Sequence, residues 1–172
     1  MVAKIYSAAV YGVDAYEVEI EVNGGRGLPH IVIVGLPDAA VKESRDRVTT
    51  AISNSGYYWP RGRTTINLAP ADIKKEGPSF DLPIALGMIA VNEEIDPEIL
   101  ENFSFVGELA LTGTVRSVKG VLPVALEARR RGRKALLFRK RMRTRPRWWM
   151  GSTFTASRIC GRRFNFFAAK LR

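Results

Sequence analysis

Residues 16–22, Tyr-Glu-Val-Glu-Ile-Glu-Val, alternate without a break between apolar side chains and carboxylates. In an extended chain successive side chains point to opposite faces, so this run is a strand with Tyr16, Val18, Ile20 and Val22 on one face and Glu17, Glu19 and Glu21 on the other. A half-exposed strand needs neighbours. Ile5 to Tyr11 reads as a strand before it, and His30-Ile31-Val32-Ile33-Val34 as a short buried-type strand after the loop Asn23-Gly24-Gly25-Arg26-Gly27, which reads as a hairpin-type connection. Leu36-Pro37-Asp38 opens a helix whose Val41, Ser44, Val48, Ala51 and Ile52 share one face and which ends at Gly56.

Working outward, Thr64 to Ala69 is a strand, Pro70 to Ser79 a loop, and Leu82 to about Val91 a helix. Proline is tolerated only in a first turn, so Asp81 is expected as the N-cap, with Leu82 and Pro83 as the first helical residues. Phe105 to Leu111 and Thr114 to Ser117 read as a hairpin around Thr112-Gly113. A last helix with Leu122, Ala125, Leu126 and Arg129 on one face stops near Gly132 and leads into the strand Lys134 to Phe138. The expected fold class is α+β, a mixed sheet of roughly seven strands with about three helices.

With 172 residues the chain suits one ordinary domain with a real core, and 46% apolar and 26% charged residues suit a folded soluble chain. No apolar run of eighteen residues could span a bilayer, and the opening residues lack an export pattern, so a cytoplasmic protein with no membrane partner is expected. The lone Cys160 and lone His30 exclude an internal disulfide and a zinc site of His and Cys ligands. The charge of +10 is uneven: residues 1–138 hold 16 Lys and Arg against 17 Asp and Glu, whereas residues 139–172 hold 11 and no acid. Two regions follow, a body over 1–138 and a basic tail over 139–172.

Three segments carry a family resemblance: Ile66-Asn67-Leu68-Ala69-Pro70-Ala71-Asp72-Ile73; Lys75-Glu76-Gly77-Pro78-Ser79-Phe80-Asp81-Leu82-Pro83-Ile84-Ala85-Leu86; and Val106-Gly107-Glu108-Leu109 through Gly113 to Gly120-Val121-Leu122-Pro123. With His30 to Arg47, these resemble the N-terminal domain of the magnesium-chelatase-like AAA+ ATPases called the ComM or YifB family, over essentially all of residues 1–138. The resemblance implies a fold similar to the proteolytic domain of Lon protease, of the ribosomal protein S5 domain 2-like class. It also implies a following AAA+ module as the natural partner, in proteins that resemble DNA helicases acting in natural transformation. A phosphate-binding loop, Gly-x-x-x-x-Gly-Lys-Ser/Thr, is absent from the sequence, so ATP and magnesium are expected only with that module and no cofactor with this chain.

Lon-type peptidases use a serine in a Gly-Pro-Ser segment and a lysine that takes its proton, because a hydroxyl is a poor nucleophile alone. Gly77-Pro78-Ser79 reproduces the serine segment, but Leu122 stands where the likeness would put the lysine, with Lys119 three residues earlier. The expected reading is a non-catalytic accessory domain with Ser79 vestigial; the alternative is a serine peptidase in which Lys119 serves Ser79. His30 reads as a structural histidine in a buried strand. Lys74-Lys75 and the run Arg129, Arg130, Arg131 with Arg133 read as solvated surface, the four arginines being also the body's candidates for contact with DNA phosphates.

The tail has two readings. Basic residues interleaved with Trp148, Trp149 and several Phe suit a nucleic-acid arm, which would make the chain a nucleic-acid-binding protein. The other is a shifted reading frame. Trp148-Trp149-Met150-Gly151 must be encoded TGG TGG ATG GGN, which read one base earlier gives Val-Asp-Gly, and the codons after Phe138 can likewise give the Pro-Lys-Glu-Asn of Lon-like domains. On that reading the tail replaces the end of the domain and the ATPase module is lost. Such a tail is expected to be irregular, with few contacts to the body.

Overall fold

The structure, a computed structural model, describes residues 2–58, 62–92 and 95–137. β1 (Val2–Tyr11) and β2 (Asp14–Gly24) form a long antiparallel hairpin in which Ile5 faces Ile20 and Ser7 faces Val18. The alternation read from the sequence holds: Val18, Ile20 and Val22 are fully buried, while Glu17, Glu19 and Glu21 lie partly exposed on the other face. Tyr16 shares the apolar parity but stands beyond the end of the core and is exposed.

β3 (His30–Val34) follows, then α1 (Ala39–Asn54) and β4 (Arg63–Ala69). The Asp38 carboxylate accepts the Val41 N–H at 2.7 Å, capping α1, whose buried residues are Val41, Ser44, Val48, Ala51 and Ile52 as the spacing predicts. β4 lies between β2, to which it is antiparallel, and β3, to which it is parallel. The glycine-rich loop after β2 is therefore a crossing past β4 and not a hairpin turn. Gly25 donates to the Arg63 carbonyl at 2.8 Å on the way.

A 3-10 turn over Pro78–Phe80 runs into α2 (Asp81–Val91), and a short α3 (Pro97–Leu100) precedes β5 (Phe103–Val106). β6 (Glu108–Leu109) and β7 (Val115–Arg116) make a small antiparallel pair, and α4 (Val121–Arg130) leads to β8 (Lys134–Leu137). The mixed main sheet has the order β3-β4-β2-β1-β5-β8, with β5 parallel to both β1 and β8. The body is α+β, with four helices among the described residues where about three are expected; α3 is the addition.

α2 is apolar on every side because it lies between the sheet and α1. Gly87 permits that approach, since a Cβ there would come within 2.5 Å of Val22. The main core fills this side. The other face is covered only toward one end, where Val124 of α4 meets Ala8, Ala15 and Val106; farther along it carries Lys4, Glu19 and Glu21 in solvent, with Lys4 3.0 Å from Glu19.

α4 corrects its predicted face. Val124, Glu127 and Ala128 point inward, whereas Leu122 and Leu126 are half exposed and Arg129 is exposed. The reason is electrostatic as well as apolar: the buried Glu127 carboxylate is matched by Arg130 at 3.0 Å and Arg131 at 2.9 Å, which turn back over it from the next turn.

Candidate functional site

Gly107 divides the strand predicted over Phe105 to Leu111 into β5 of the main sheet and β6 of the small one. Its N–H donates to the Ser79 carbonyl at 2.9 Å and its own carbonyl accepts from Leu82 N–H at 3.0 Å, so both its peptide groups serve the turn that carries Ser79. A Cβ at Gly107 would stand 2.7 Å from Val115 and 3.1 Å from Leu82. Only glycine fits this approach without a shift.

The segment before Ser79 is held just as firmly. Asp38, besides capping α1, accepts the Gly77 N–H at 3.1 Å, and the Lys75 peptide exchanges hydrogen bonds with Leu36 and Asp38 at 3.2 and 3.0 Å. The Lys75 side chain is fully buried and donates to the Pro70 carbonyl. Desolvation pushes its pKa below the usual 10.5, Asp72 opposing this only in part. The expectation of solvated surface is therefore corrected for Lys75 and holds for Lys74, which pairs with Glu76 at 2.8 Å in the open.

Asp81 is not the helix cap. Phe80 occupies the cap position, and Asp81 is the first helical residue, with its carboxylate turned into the interior. There it accepts from the Ser44 hydroxyl, from Arg47 Nε at 2.9 Å and Nη2 at 3.1 Å, and from Leu109 N–H at 3.1 Å. Four donors satisfy a fully buried anion. The same hydrogen bond raises the pKa of Arg47. α1, the Ser79 turn and β6 are thereby clasped at one point, just behind the surface that Ser79 and Glu108 expose.

That surface is a cleft of about 860 Å³ between the tip of the β1–β2 hairpin, the 72–79 loop and the segment after β7. Tyr11 and Tyr16, with ring centroids 6.5 Å apart, stand at the hairpin side; Ser79, Glu108 and Lys119 line the rest. Glu108 is paired with Arg116 at 2.9 Å. Ser79 and Lys119, far apart in sequence, thus share one cavity, whereas Leu122 points outward on α4.

The remaining sequence candidates lie elsewhere. His30 is exposed at the start of β3, where a buried structural histidine is expected. Arg133 lies 3.2 Å from the centre of the Tyr6 ring and 2.6 Å from Glu17, and with Arg130 and Arg131 committed to Glu127, three of the four candidate DNA-contact arginines already have a carboxylate partner. Arg129 faces solvent. The basic tail, with Trp148 and Trp149, lies outside the described residues. Among the described residues no three His, Cys, Asp or Glu side chains group as a metal site, and no helix is long and apolar enough to cross a membrane.

An α+β body with a mixed sheet, carrying a Gly-Pro-Ser-Phe-Asp-Leu-Pro turn pinned against a glycine of the neighbouring strand, is a magnesium-chelatase-like domain. The chain belongs to the family described as subunit ChlI of Mg-chelatase, whose model it matches over residues 18–141. It is 47% identical over 133 residues to the uncharacterized protein YifB of Escherichia coli, covering 77% of this chain and 26% of that protein. It is also 47% identical over 135 residues to competence protein ComM of Haemophilus influenzae, covering 78% and 26% respectively. A Lon protease of Protochlamydia amoebophila is 27% identical over 139 residues, covering 77% of this chain and 16% of the protease. The chain spans about a quarter of the length of YifB and ComM.

Proposed function

We propose that this chain is the non-catalytic accessory domain of a ComM/YifB-type magnesium-chelatase-like AAA+ ATPase, with the S5 domain 2-like fold of Lon's proteolytic domain. The observation that carries the reading is 47% identity to YifB and ComM over stretches that are only 26% of those proteins. ATP and magnesium belong to the motor that such a domain accompanies, and its work is contact with that motor, with DNA or with other subunits. The tail over 139–172 is, on the same reading, a frame-shift product. Sequencing the gene beyond codon 138 tests this, and an uninterrupted frame with no ATPase sequence in any downstream frame overturns it.

Support for a non-catalytic role comes from Leu122, an apolar residue where the Lon likeness calls for the base. A second reading, a serine peptidase, is favoured by one observation: Ser79 and Lys119 line the same cleft. A general base works at roughly 2.6–3.2 Å from the hydroxyl or through one water. Unfolded casein and short fluorogenic peptides are the substrates for the test. No turnover above buffer is expected, and turnover abolished by both Ser79→Ala and Lys119→Met establishes the peptidase instead.

A further inference from the structure

The cleft beside Ser79 has walls that the fold holds firmly. The buried Lys75 and the buried Asp81 fasten the loop that leads to Ser79 and the turn that leaves it. The 117–119 segment is fastened as well: Val118 packs on the small cluster of Ala8, Ala15, Val106 and Val124, and Gly120, at φ +74°, lies so close to the hairpin that a Cβ there would stand 2.7 Å from Val10. Walls constrained in this way present their side chains in fixed positions, which is what a binding site requires.

Most of the charges that line the cleft are matched: Lys74 with Glu76 at 2.8 Å and Glu108 with Arg116 at 2.9 Å. Lys119 and Asp72 are not. Neither has an ion-pair partner, and the hydroxyls of Ser79 and Ser117 make no hydrogen bond, among the described residues. Tyr11, Tyr16, Val10 and Ile73 give the cleft an apolar and aromatic side, Tyr11 being 76% exposed. One free ammonium with two hydroxyls suits a singly charged anion. A phosphate, or a row of them, would meet that one ammonium and the carboxylates of Asp72, Glu76 and Glu108 as well. The apolar side calls for a hydrophobic group beside the anion, and Asp72 for an N–H. The last residue of a peptide, with its carboxylate, its side chain and the amides that precede it, supplies all three.

We propose that this cleft is a receptor for the free C-terminus of a peptide chain that ends in a bulky apolar residue, with Lys119 and the Ser79 hydroxyl meeting the carboxylate and the tyrosine side taking the last side chain. The inference rests on the accessory reading of the domain: the site holds a chain end and does not cut it. A carboxylate accepting from an ammonium and a hydroxyl makes charge-assisted hydrogen bonds, the stronger kind. The tyrosines add large, rigid contact area, and the contact as a whole is small, so a dissociation constant of roughly 10–100 µM is expected.

The test is fluorescence anisotropy of rhodamine-labelled hexapeptides ending in Val-Phe, one with a free carboxylate and one with a C-terminal amide, titrated with the full chain up to about 300 µM so as to bracket that constant. The acid should bind about tenfold tighter than the amide. Lys119→Met should abolish the difference by weakening the acid alone, Ser79→Ala should reduce it, and Tyr11→Ala should weaken acid and amide alike. None of the three side chains is buried, so circular dichroism should stay unchanged. Mass spectrometry of the incubated peptides separates this inference from the reading beneath it: an intact peptide bound through its carboxylate upholds both, whereas cleavage lost in Ser79→Ala overturns the accessory reading alone. No binding of the acid, acid and amide bound alike, a difference that persists in Lys119→Met, or binding of oligothymidylate that Lys119→Met and Tyr11→Ala both weaken overturns the proposal.

Discussion

Asp81 and Lys75 are both fully buried ionisable side chains six residues apart, and their surroundings give them opposite consequences. The Asp81 carboxylate is met by Ser44, Arg47 and the Leu109 peptide, so removing it leaves the Arg47 guanidinium and a hydroxyl facing a void. Breaking such a buried pair from one side typically costs about 3–5 kcal/mol. Asp81→Ala is expected to lower the urea midpoint by that order; a change under about 1 kcal/mol would show that the clasp contributes little. Lys75 has a carbonyl as its partner, from Pro70, and no carboxylate within its hydrogen bonds. Its folded pKa is lowered by burial from the usual 10.5. Below that lowered value the ammonium is charged in both states and the burial cost is at its full size. Between it and 10.5 the unfolded chain still binds the proton and the folded chain does not, so stability rises with pH across this window. Lys75→Met should be neutral or stabilising by up to about 2 kcal/mol at pH 7, and its advantage should shrink as pH approaches that of a free lysine. Urea titrations of both proteins at several pH values check this, and an advantage independent of pH would contradict it.

At the scale of elements, the two faces of α4 separate packing from surface. Leu126→Glu, on the half-exposed side, should change stability by no more than about 0.5 kcal/mol, whereas Val124→Ala, under the helix, should cost about 2 kcal/mol. Thermal melts of the pair distinguish the observed face from the one that the spacing of Leu122, Ala125, Leu126 and Arg129 suggests. The contrast explains what was legible. α1 could be read because its inward residues are apolar apart from Ser44 and its Asp38 cap is local, both being properties of a short stretch. α4 could not, because its inward Glu127 is tolerated only through two arginines that the fold places over it. Likewise Asp81 carries a strong local signal as a cap, and the interior donors that override it come from residues 28 to 37 positions away. Gly107 reads as an ordinary strand glycine until β5 and β6 are seen to part there. Of the site, Gly77-Pro78-Ser79 was legible as a motif, but its sharing a cleft with Lys119 and the hairpin tyrosines is a product of topology. α3 was not read from the sequence, although its start is local: Asp96 precedes Pro97, and its carboxylate accepts the Glu98 N–H at 3.0 Å.

For the whole molecule, the question is where an affinity for DNA would reside. The charge of +10 divides into −1 over residues 1–138 and +11 over residues 139–172. Within the body the run of arginines at the end of α4 is partly matched by carboxylates, since the exposed Arg130 and Arg131 pair with Glu127 and Arg133 pairs with Glu17. A phosphate would have to compete with those carboxylates. Each phosphate neutralised by a cation steepens the dependence of log affinity on log salt by about 0.9 for duplex DNA, so the slope counts the contacts. Fluorescence anisotropy with a labelled duplex, at several salt concentrations, should therefore show steep, salt-sensitive binding by the full chain. Removal of residues 139–172 should eliminate most of it. Arg129→Ala, which removes one exposed arginine of that run, should change the slope of the full chain by less than one phosphate's worth. If residues 1–138 alone bind tightly with a steep slope, and Arg129→Ala or Arg130→Ala flattens it, the body has a working basic face around α4. DNA contact would then belong to the domain itself.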